Sequence, residues 1–311
     1  MATSGSIDFS QDLDSIVVDA FDMLGVYGVT DTIPTEEKNK GYRYLNRLFK
    51  SWQQQKTPPL WLMTEGVVFL DRSTNYQLYS SGAHSCKLSD FVSSTLSAAE
   101  AAGQTVLSIT STTNMTASDK IGIELDDGTR QWTTIVSVDS TTQVTVTAAL
   151  TGAAASGNTV YTYTTKLDRP LRIKSVRRLN SSGLDKEVLP YSRTDYFNLA
   201  VKTTRSDVSY YYYDPQLTIG YLYVYPVNND IDDILRITYH RVIEDFDSGS
   251  NTPDAPQEWY DAIVKGLAAA MSSTYGVQNR DELIQDAAIA YRLAYGFDQE
   301  DGNVEAQPDF D

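Results

Sequence analysis

The stretch Lys120-Ile121-Gly122-Ile123-Glu124-Leu125-Asp126-Asp127-Gly128-Thr129-Arg130-Gln131-Trp132 governs the reading of the middle of the chain. Ile121, Ile123 and Leu125 alternate with polar residues, the period of a half-buried strand. Asp126-Asp127-Gly128 then supplies turn chemistry, and a second polar-apolar run follows. Strand-like runs recur at 105–109, 131–138, 143–147 and 159–165, with Val144 and Val146 at alternate positions and Ser156-Gly157-Asn158 as a further turn. Within 93–165, 27 of 73 residues are Ser or Thr, and Lys120 and Arg130 are the only bases. That composition alone suits a disordered linker. The alternation argues instead for a small all-β insert, a barrel or a sandwich.

Outward from this insert lie two β-regions. Residues 62–70 and 76–79 read as one hairpin. After the insert, Arg169-Pro170 opens a strand with Leu171 and Ile173 inward and Arg172 and Lys174 outward, and 194–199 reads as a short helical turn. The runs 216–225 and 234–243 read as a second hairpin around Asn228-Asn229-Asp230, with Leu217, Ile219, Tyr221, Tyr223 and Tyr225 on one face. Tyr is abundant, 21 against 9 Phe, and its apolar ring with a wet hydroxyl suits interfaces. Tyr210, Tyr211, Tyr212 and Tyr213 are candidates for such a surface, with strand alternation placing half of them in the core.

Both ends of the chain read as helical. Leu13, Ile16, Val17, Ala20, Phe21 and Leu24 repeat at three and four, with Asp12 or Asp14 as cap and Gly25 at the left-handed stop. A second helix spans 36–55, with Thr35 as N-cap, an inner side of Tyr42, Leu45, Leu48, Phe49 and Trp52, and Pro58-Pro59 beyond its end. The pair reads as a helical hairpin. Near the other terminus, Asp254, Pro256 and Gln257 signal a helix start ahead of Trp259, Ile263, Leu267 and Met271. Asn279 and Glu282 open a last helix carrying Leu283, Ala287, Ala290, Tyr291 and Ala294. Trp52 and Trp259 read as core anchors. The expected fold is therefore α+β: helices of 1–60 and 250–297 packed as a bundle, a central antiparallel β lobe of 61–92 and 166–249, the insert of 93–165, and an extended tail of 298–311 with six acids and no base.

Catalytic signatures are missing. There is no G-x-S-x-G, H-E-x-x-H, Walker loop, G-x-G-x-x-G or C-x-x-C. One cysteine, Cys86, forms no internal disulfide, and two histidines, His84 and His240, make a multi-His metal site unexpected. His84 and Cys86 lie close enough in sequence for a thiol–imidazole pair, but both read as loop residues. Asp126-Asp127 reads as a turn, and Asp230, Asp232 and Asp233 lack the downstream bidentate Glu of a calcium loop. The chain is not expected to be an enzyme and no cofactor is implied. The opening Met1-Ala2-Thr3-Ser4-Gly5-Ser6 has no basic region or apolar run, and no 18-residue apolar stretch occurs, so neither a signal peptide nor a membrane span is expected.

Charge carries more. With 25 bases against 41 acids the net is −16, the opposite of a protein that grips duplex DNA. Yet 16 of the 25 bases fall in 35–56 and 166–205. Solvated faces with local ion pairs account for such segregation, and so does basic surface on one copy meeting acidic surface on the next. Lys38, Arg43, Arg47, Lys50, Arg172, Lys174, Arg177 and Arg178 are the subunit-interface or channel candidates.

Several stretches carry a family likeness: Ala20-Phe21-Asp22-Met23-Leu24-Gly25-Val26 with Gly41-Tyr42-Arg43-Tyr44-Leu45-Asn46-Arg47-Leu48 and Ser51-Trp52; Tyr223-Val224-Tyr225-Pro226; and Ile243-Glu244-Asp245-Phe246-Asp247 running into Pro253-Asp254-Ala255-Pro256-Gln257-Glu258-Trp259. In these the chain resembles the head-to-tail adaptors of short-tailed bacteriophages, the packaged-DNA stabilisation or tail tubular proteins, everywhere outside the insert. The resemblance implies a virion structural protein at the head–tail junction, made in the host cytoplasm and forming a twelve-fold ring below the portal. Such a ring extends the DNA channel, retains packaged DNA and docks the tail nozzle. The implied partners are the portal protein, the nozzle or tail tubular protein, further copies of the chain, and DNA passing without sequence recognition. It also implies that the C-terminal helix and tail dock on the portal, which nominates Tyr291, Tyr295, Phe297, Asp298, Asp301 and Phe310; the tyrosine run is nominated for the nozzle or a neighbouring copy. The competing expectation is a tail protein that binds a host receptor or glycan through aromatic residues of the insert, which holds only Trp132, Tyr161 and Tyr163.

Overall fold

The computed structural model describes residues 5–28 and 31–299. In chain order its elements are α1 (Leu13–Leu24), α2 (Thr35–Trp52), β1 (Met63–Phe69), β2 (Asn75–Leu78), β3 (Ser85–Lys87), β4 (Val92–Thr95), β5 (Val106–Ser108), β6 (Lys120–Glu124), β7 (Arg130–Ser140), β8 (Gln143–Val146) and β9 (Thr159–Tyr163). There follow β10 (Arg172–Leu179), β11 (Asp185–Pro190), α3 (Arg193–Phe197), β12 (Tyr210–Pro215), β13 (Gly220–Tyr225), β14 (Ile234–His240), α4 (Tyr260–Tyr275) and α5 (Arg280–Phe297). The fold is mixed α+β with β-sheet predominant. It divides into two compact units, one from Met1–Leu62 with Val242–Asp311 and one from Met63–Arg241.

The first unit is helical. α1 starts where the Asp12 carboxylate accepts from the Ser15 N–H at 2.8 Å, and it ends at Gly25, whose φ of 65° suits a residue without Cβ. Two more of its leading N–H groups donate to the Asn251 and Gly249 carbonyls, both at 3.0 Å. α2 is tied to the same distant segment. Asn46 both donates to and accepts from the Phe246 backbone, and the Lys50 ammonium donates to the Ile243 carbonyl at 2.7 Å. The stripes Leu13–Leu24, Leu45–Trp52 and Trp259–Met271 then close on one core, with Trp52 and Trp259 5.4 Å apart at its centre. α1 packs more closely on α4 than on α2, so the first two helices are not a self-contained hairpin. Three expected caps act differently. Thr35 is the first residue inside α2, whose N-cap is Pro34 with no side-chain cap bond. The Asp254 carboxylate receives the Glu244 N–H, leaving α4 to begin through a 3₁₀ turn, and Asn279 makes no side-chain cap.

The second unit holds two sheets. The larger has strand order β2-β13-β12-β11-β10-β14-β1-β3. Its inward residues, among them Val68, Tyr76, Val176, Val188, Tyr211, Leu222, Val224 and Ile237, meet in one core, so the sheet is rolled. The Ala83 N–H to Gln77 carbonyl bond (2.8 Å) closes the turn that leads from β2 towards β3. Neither expected hairpin forms. β1 lies between β14 and β3, β2 pairs with β13, and three strands, β12, β11 and β10, separate β13 from β14. Rolling the sheet rewards closure between distant segments over pairing of neighbours in sequence. Within 216–225, Tyr221, Tyr223 and Tyr225 share one face, the outer one, while Leu222 and Val224 face the core; Leu217 is 92% exposed in the turn.

The smaller sheet has order β4-β9-β6-β7-β8-β5. A bridge between Leu96 and Ile109, with Ser97 and Thr110 N–H bonds on either side (2.9 and 2.8 Å), joins its two outer strands into a closed barrel. Leu107, Ile121, Ile123, Ile135, Val144, Val146 and Val160 fill it. The Asp126-Asp127-Gly128 turn sits at the β6–β7 corner, with Gly128 at φ 74°.

Barrel and rolled sheet share a dry joint. Phe69, Val67 and Ile234 from the sheet meet Tyr161, Tyr163 and Trp132 from the barrel. The His84 ring stacks on Trp132 (4.0 Å, 5°), and its Nδ1 shares a 2.6 Å hydrogen bond with the Tyr163 hydroxyl. Gly122 is required beneath Trp132, because a Cβ there would stand 2.8 Å from the indole. A buried ion pair completes the joint: Arg130 reaches Asp232 at 2.7 Å, its guanidinium lies 4.0 Å over the Tyr161 ring, and the Tyr161 hydroxyl donates to the Asp232 carbonyl.

Two measurements probe this joint. Replacing Arg130 by Met leaves Asp232 without its counter-charge beside Glu124, whose carboxyl burial already pushes up; unfolding in urea should show a loss of about 3 kcal/mol. Burial, reinforced by Lys166 and Lys120, pushes the His84 imidazole down from 6.5 to about 4. The unfolded chain therefore takes up this proton before the folded one, and stability falls as pH drops from about 6.5 towards 4. Allowing for partial exposure, the His84 share is about 2 kcal/mol. Urea melts of the wild type and His84→Phe at pH 7 and pH 4.5 should show a shallower pH dependence in the variant.

Candidate functional site

The residues a catalytic reading needs are held in other roles. Cys86 is fully buried in β3, and burial pushes its thiol up, away from the thiolate. The His84 Nδ1 is hydrogen-bonded to the Tyr163 hydroxyl. Asp126 accepts from Ala155 N–H and Asn158, and Asp127 from Thr129. Asp232 is paired with Arg130 and Asp233 with Arg178. Among the described residues no group of three or more His, Cys, Asp or Glu is placed to hold a metal ion, and no helix is long and apolar enough to cross a membrane.

The basic candidates separate by environment. Lys38 pairs with Asp14 at 3.3 Å, Lys50 with Asp245 at 2.7 Å and Arg177 with Asp185 at 2.9 Å. Arg178 is 5% exposed and holds Asp233 and Asp207 at 2.8 and 2.7 Å. Its expected place on a surface is corrected by a bulge in β10: one extra residue between Ile173 and Ser175 shifts the alternation, so Val176 and Arg178 turn inward. Arg43 and Arg47 stand exposed on α2, and Arg172 and Lys174 are exposed on β10.

The tyrosine run divides unevenly. Tyr211 is buried, while Tyr210, Tyr212 and Tyr213 are half-buried. The register Tyr210–Tyr225, Tyr212–Tyr223 and Asp214–Tyr221 collects five tyrosines on the outer face of β12 and β13. Their rings lie against one another, Tyr212 on Tyr223 at 5.7 Å and Tyr221 on Tyr223 at 6.2 Å, with Tyr191 on Tyr210 at 4.1 Å. Arg193 links this face to Asp214 at 3.2 Å. The insert, by contrast, spends Tyr161, Tyr163 and Trp132 on the joint.

At the C-terminal end, Tyr291 packs on Trp52 and Trp259 (5.3 and 5.6 Å), and the Tyr295 hydroxyl donates to the Thr57 carbonyl at 2.8 Å. Asp298 is half-buried, and burial pushes its carboxyl up. Asp301 and Phe310 lie outside the described residues. Phe297 is 76% exposed, and below it on the same helix face stand Leu293 (70%) and Ile289 (54%). These three recur every four residues, an apolar stripe that flanks the Leu283–Ala290–Ala294 core side. Sequence reasoning found Phe297 but not Ile289 and Leu293; their i, i+4 spacing was the available signal.

A comparison with curated proteins finds no match. The family model for the SU10 adaptor protein matches residues 110–307. The matched span takes in most of the barrel, which the resemblance had left aside, and does not include α1 and α2, on which the resemblance partly rested. Since it covers 198 of the 311 residues, the chain belongs to the SU10 adaptor protein family and is a phage structural protein of the head–tail adaptor type.

Proposed function

We propose that the chain is the head-to-tail adaptor of a short-tailed phage, assembling as a twelve-fold ring beneath the portal. There it extends the DNA channel, retains the packaged genome and presents a docking surface to the tail nozzle. The role is mechanical and requires no cofactor. Twelve copies at −16 give a ring of about −190 in formal charge, a surroundings that does not hold the phosphate backbone as DNA passes. The tyrosine face of β12 and β13 is a nozzle or subunit contact in this reading. Its rings stand side by side at 5.7 and 6.2 Å, and their apolar faces with polar hydroxyls suit protein contact.

The observation that supports the reading, given the family, is the exposed stripe Ile289–Leu293–Phe297 on α5. A large exposed apolar stripe on a helix marks a partner site, and the portal is the partner assigned here. The double variant Leu293→Asp/Phe297→Asp should lose at least about 100-fold in portal affinity, measured by co-sedimentation and negative-stain imaging of portal-bound rings. Its thermal unfolding should match the wild type, since both side chains are on the surface. Undiminished portal binding by this variant would remove the reading.

A further inference from the structure

Two surface rows of the helical unit carry opposite charge. On α1, Asp12, Ser15, Asp19 and Asp22 follow at three, four and three residues, one face turned away from the buried stripe of that helix. Asp12 accepts from the Ser15 N–H, Asp19 from the Gln11 side chain at 2.9 Å, and Asp22 is exposed. On α2, Asn39, Arg43 and Arg47 recur every four residues on the exposed side, opposite Gly41, Leu45 and Phe49. Glu36 shares that side but stands seven residues, about 10 Å, before Arg43. The lysines nearby are committed: Lys38 to Asp14 at 3.3 Å, Lys40 to Glu37 at 3.7 Å and Lys50 to Asp245 at 2.7 Å. Among the described residues no ion pair engages Arg43, Arg47, Asp12, Asp19 or Asp22. Arg47 lies over the Tyr44 ring, 5.8 Å from its centre, and Lys38 exerts only a through-space pull on Asp12.

The acidic row ends at a recess. Asp22 lines a cavity of about 210 Å³ together with Asp31, Tyr27, Val18 and Ile33; Lys38 borders it too but is held by Asp14. Asp31 spends one carboxylate oxygen on the Gly28 N–H at 2.8 Å and has a second to offer. Two carboxylates beside an aromatic ring suit a guanidinium, which takes charge-assisted hydrogen bonds in its plane and a ring against its face. We infer that Arg43 and Arg47 of one copy dock on the acidic row of α1 in the next copy, with one guanidinium seated beside Asp22, Asp31 and Tyr27. Unlike rows on different helices of one chain make a head-to-tail contact, the kind that closes into a ring. This inference rests on the reading that copies stand side by side, and adds which helices meet. Duplex DNA is the weaker occupant: it answers the basic row alone, and a body of net −16 repels a long polyanion, whereas a neighbouring copy answers both rows. Each ion pair at such a surface is individually weak, so the contact works as a set and is sensitive to salt.

The test reverses each row in the full chain, Arg43→Glu/Arg47→Glu on α2 and Asp19→Lys/Asp22→Lys on α1; none of the four positions is buried, and the melting curves should match the wild type. By sedimentation velocity at about 50 mM salt, either variant alone should associate at least about tenfold more weakly than their equimolar mixture, in which each reversed row meets its opposite, and the mixture should weaken at least about tenfold at about 300 mM. A second measurement needs no charge reversal. An Arg47→Cys chain and an Asp22→Cys chain should cross-link to each other under mild oxidation at least about fivefold faster than either does with itself, the buried Cys86 staying silent. A mixture that associates no better than its parts, cross-linking no faster between the two cysteine chains than within each, or a short duplex bound by the wild type and lost by Arg43→Glu/Arg47→Glu would each overturn the contact. Imaging on portal separates it from the adaptor reading. Rings formed equally by the wild type and Arg43→Glu/Arg47→Glu reject the contact alone, and association in the mixture without wild-type rings on portal rejects the adaptor assembly alone.

Discussion

The second unit depends on strand β1 being buried on both faces. Val68 points into the rolled sheet, while Val67 and Phe69 point the other way, into the joint with the barrel. Phe69 alone lies within 6 Å of the rings of Phe91, Trp132, Tyr161 and Tyr163. A strand wetted on one side tolerates polar substitution on alternate positions; one covered on both does not. The apolar run Val67-Val68-Phe69-Leu70 is the imprint of that constraint, and it makes barrel and sheet a single mechanical body instead of two beads on a string. The aromatic residues that would make the barrel a sugar-binding module are consumed in holding it down.

Local pattern was enough to find most elements. The three-and-four spacing of Leu13 to Leu24 and the alternation of Ile121, Ile123 and Leu125 depend only on neighbours in sequence, and both reappear as α1 and β6. Pairing was harder to see. β1 finds β14 about 170 residues away, a choice made by closure of the rolled sheet and invisible in either strand alone. Arg178 shows the same limit at the scale of one residue. Up to Ile173 the odd positions of β10 turn inward; after the bulge the even ones do, and a basic side chain that alternation places outside is carried into the core, where two aspartates receive it. On α5, attention to the buried side hid Ile289 and Leu293, although they repeat as regularly as the core residues behind them.

The segregated charge of the sequence resolves into two populations. Lys38, Lys50, Arg130, Arg177 and Arg178 answer acids of their own chain, so a large part of the apparent basic surface is internal bookkeeping of the fold. The buried pairs among them fix geometry more than they add stability, since taking both charges out of water offsets much of their attraction. Arg43 and Arg47 on α2, and Arg172 and Lys174 on β10, are the candidates that stand at the surface.

The register of β1 against β14 has an evolutionary corollary. Met63 stands directly across from His240, so the entire 63–241 segment leaves and rejoins the helical unit through two adjacent backbone positions. A graft of that kind can be exchanged by recombination at two neighbouring seams while the helices keep their own interior intact. The architecture thus lets a lineage exchange one unit for another without having to rebuild the interior of the first.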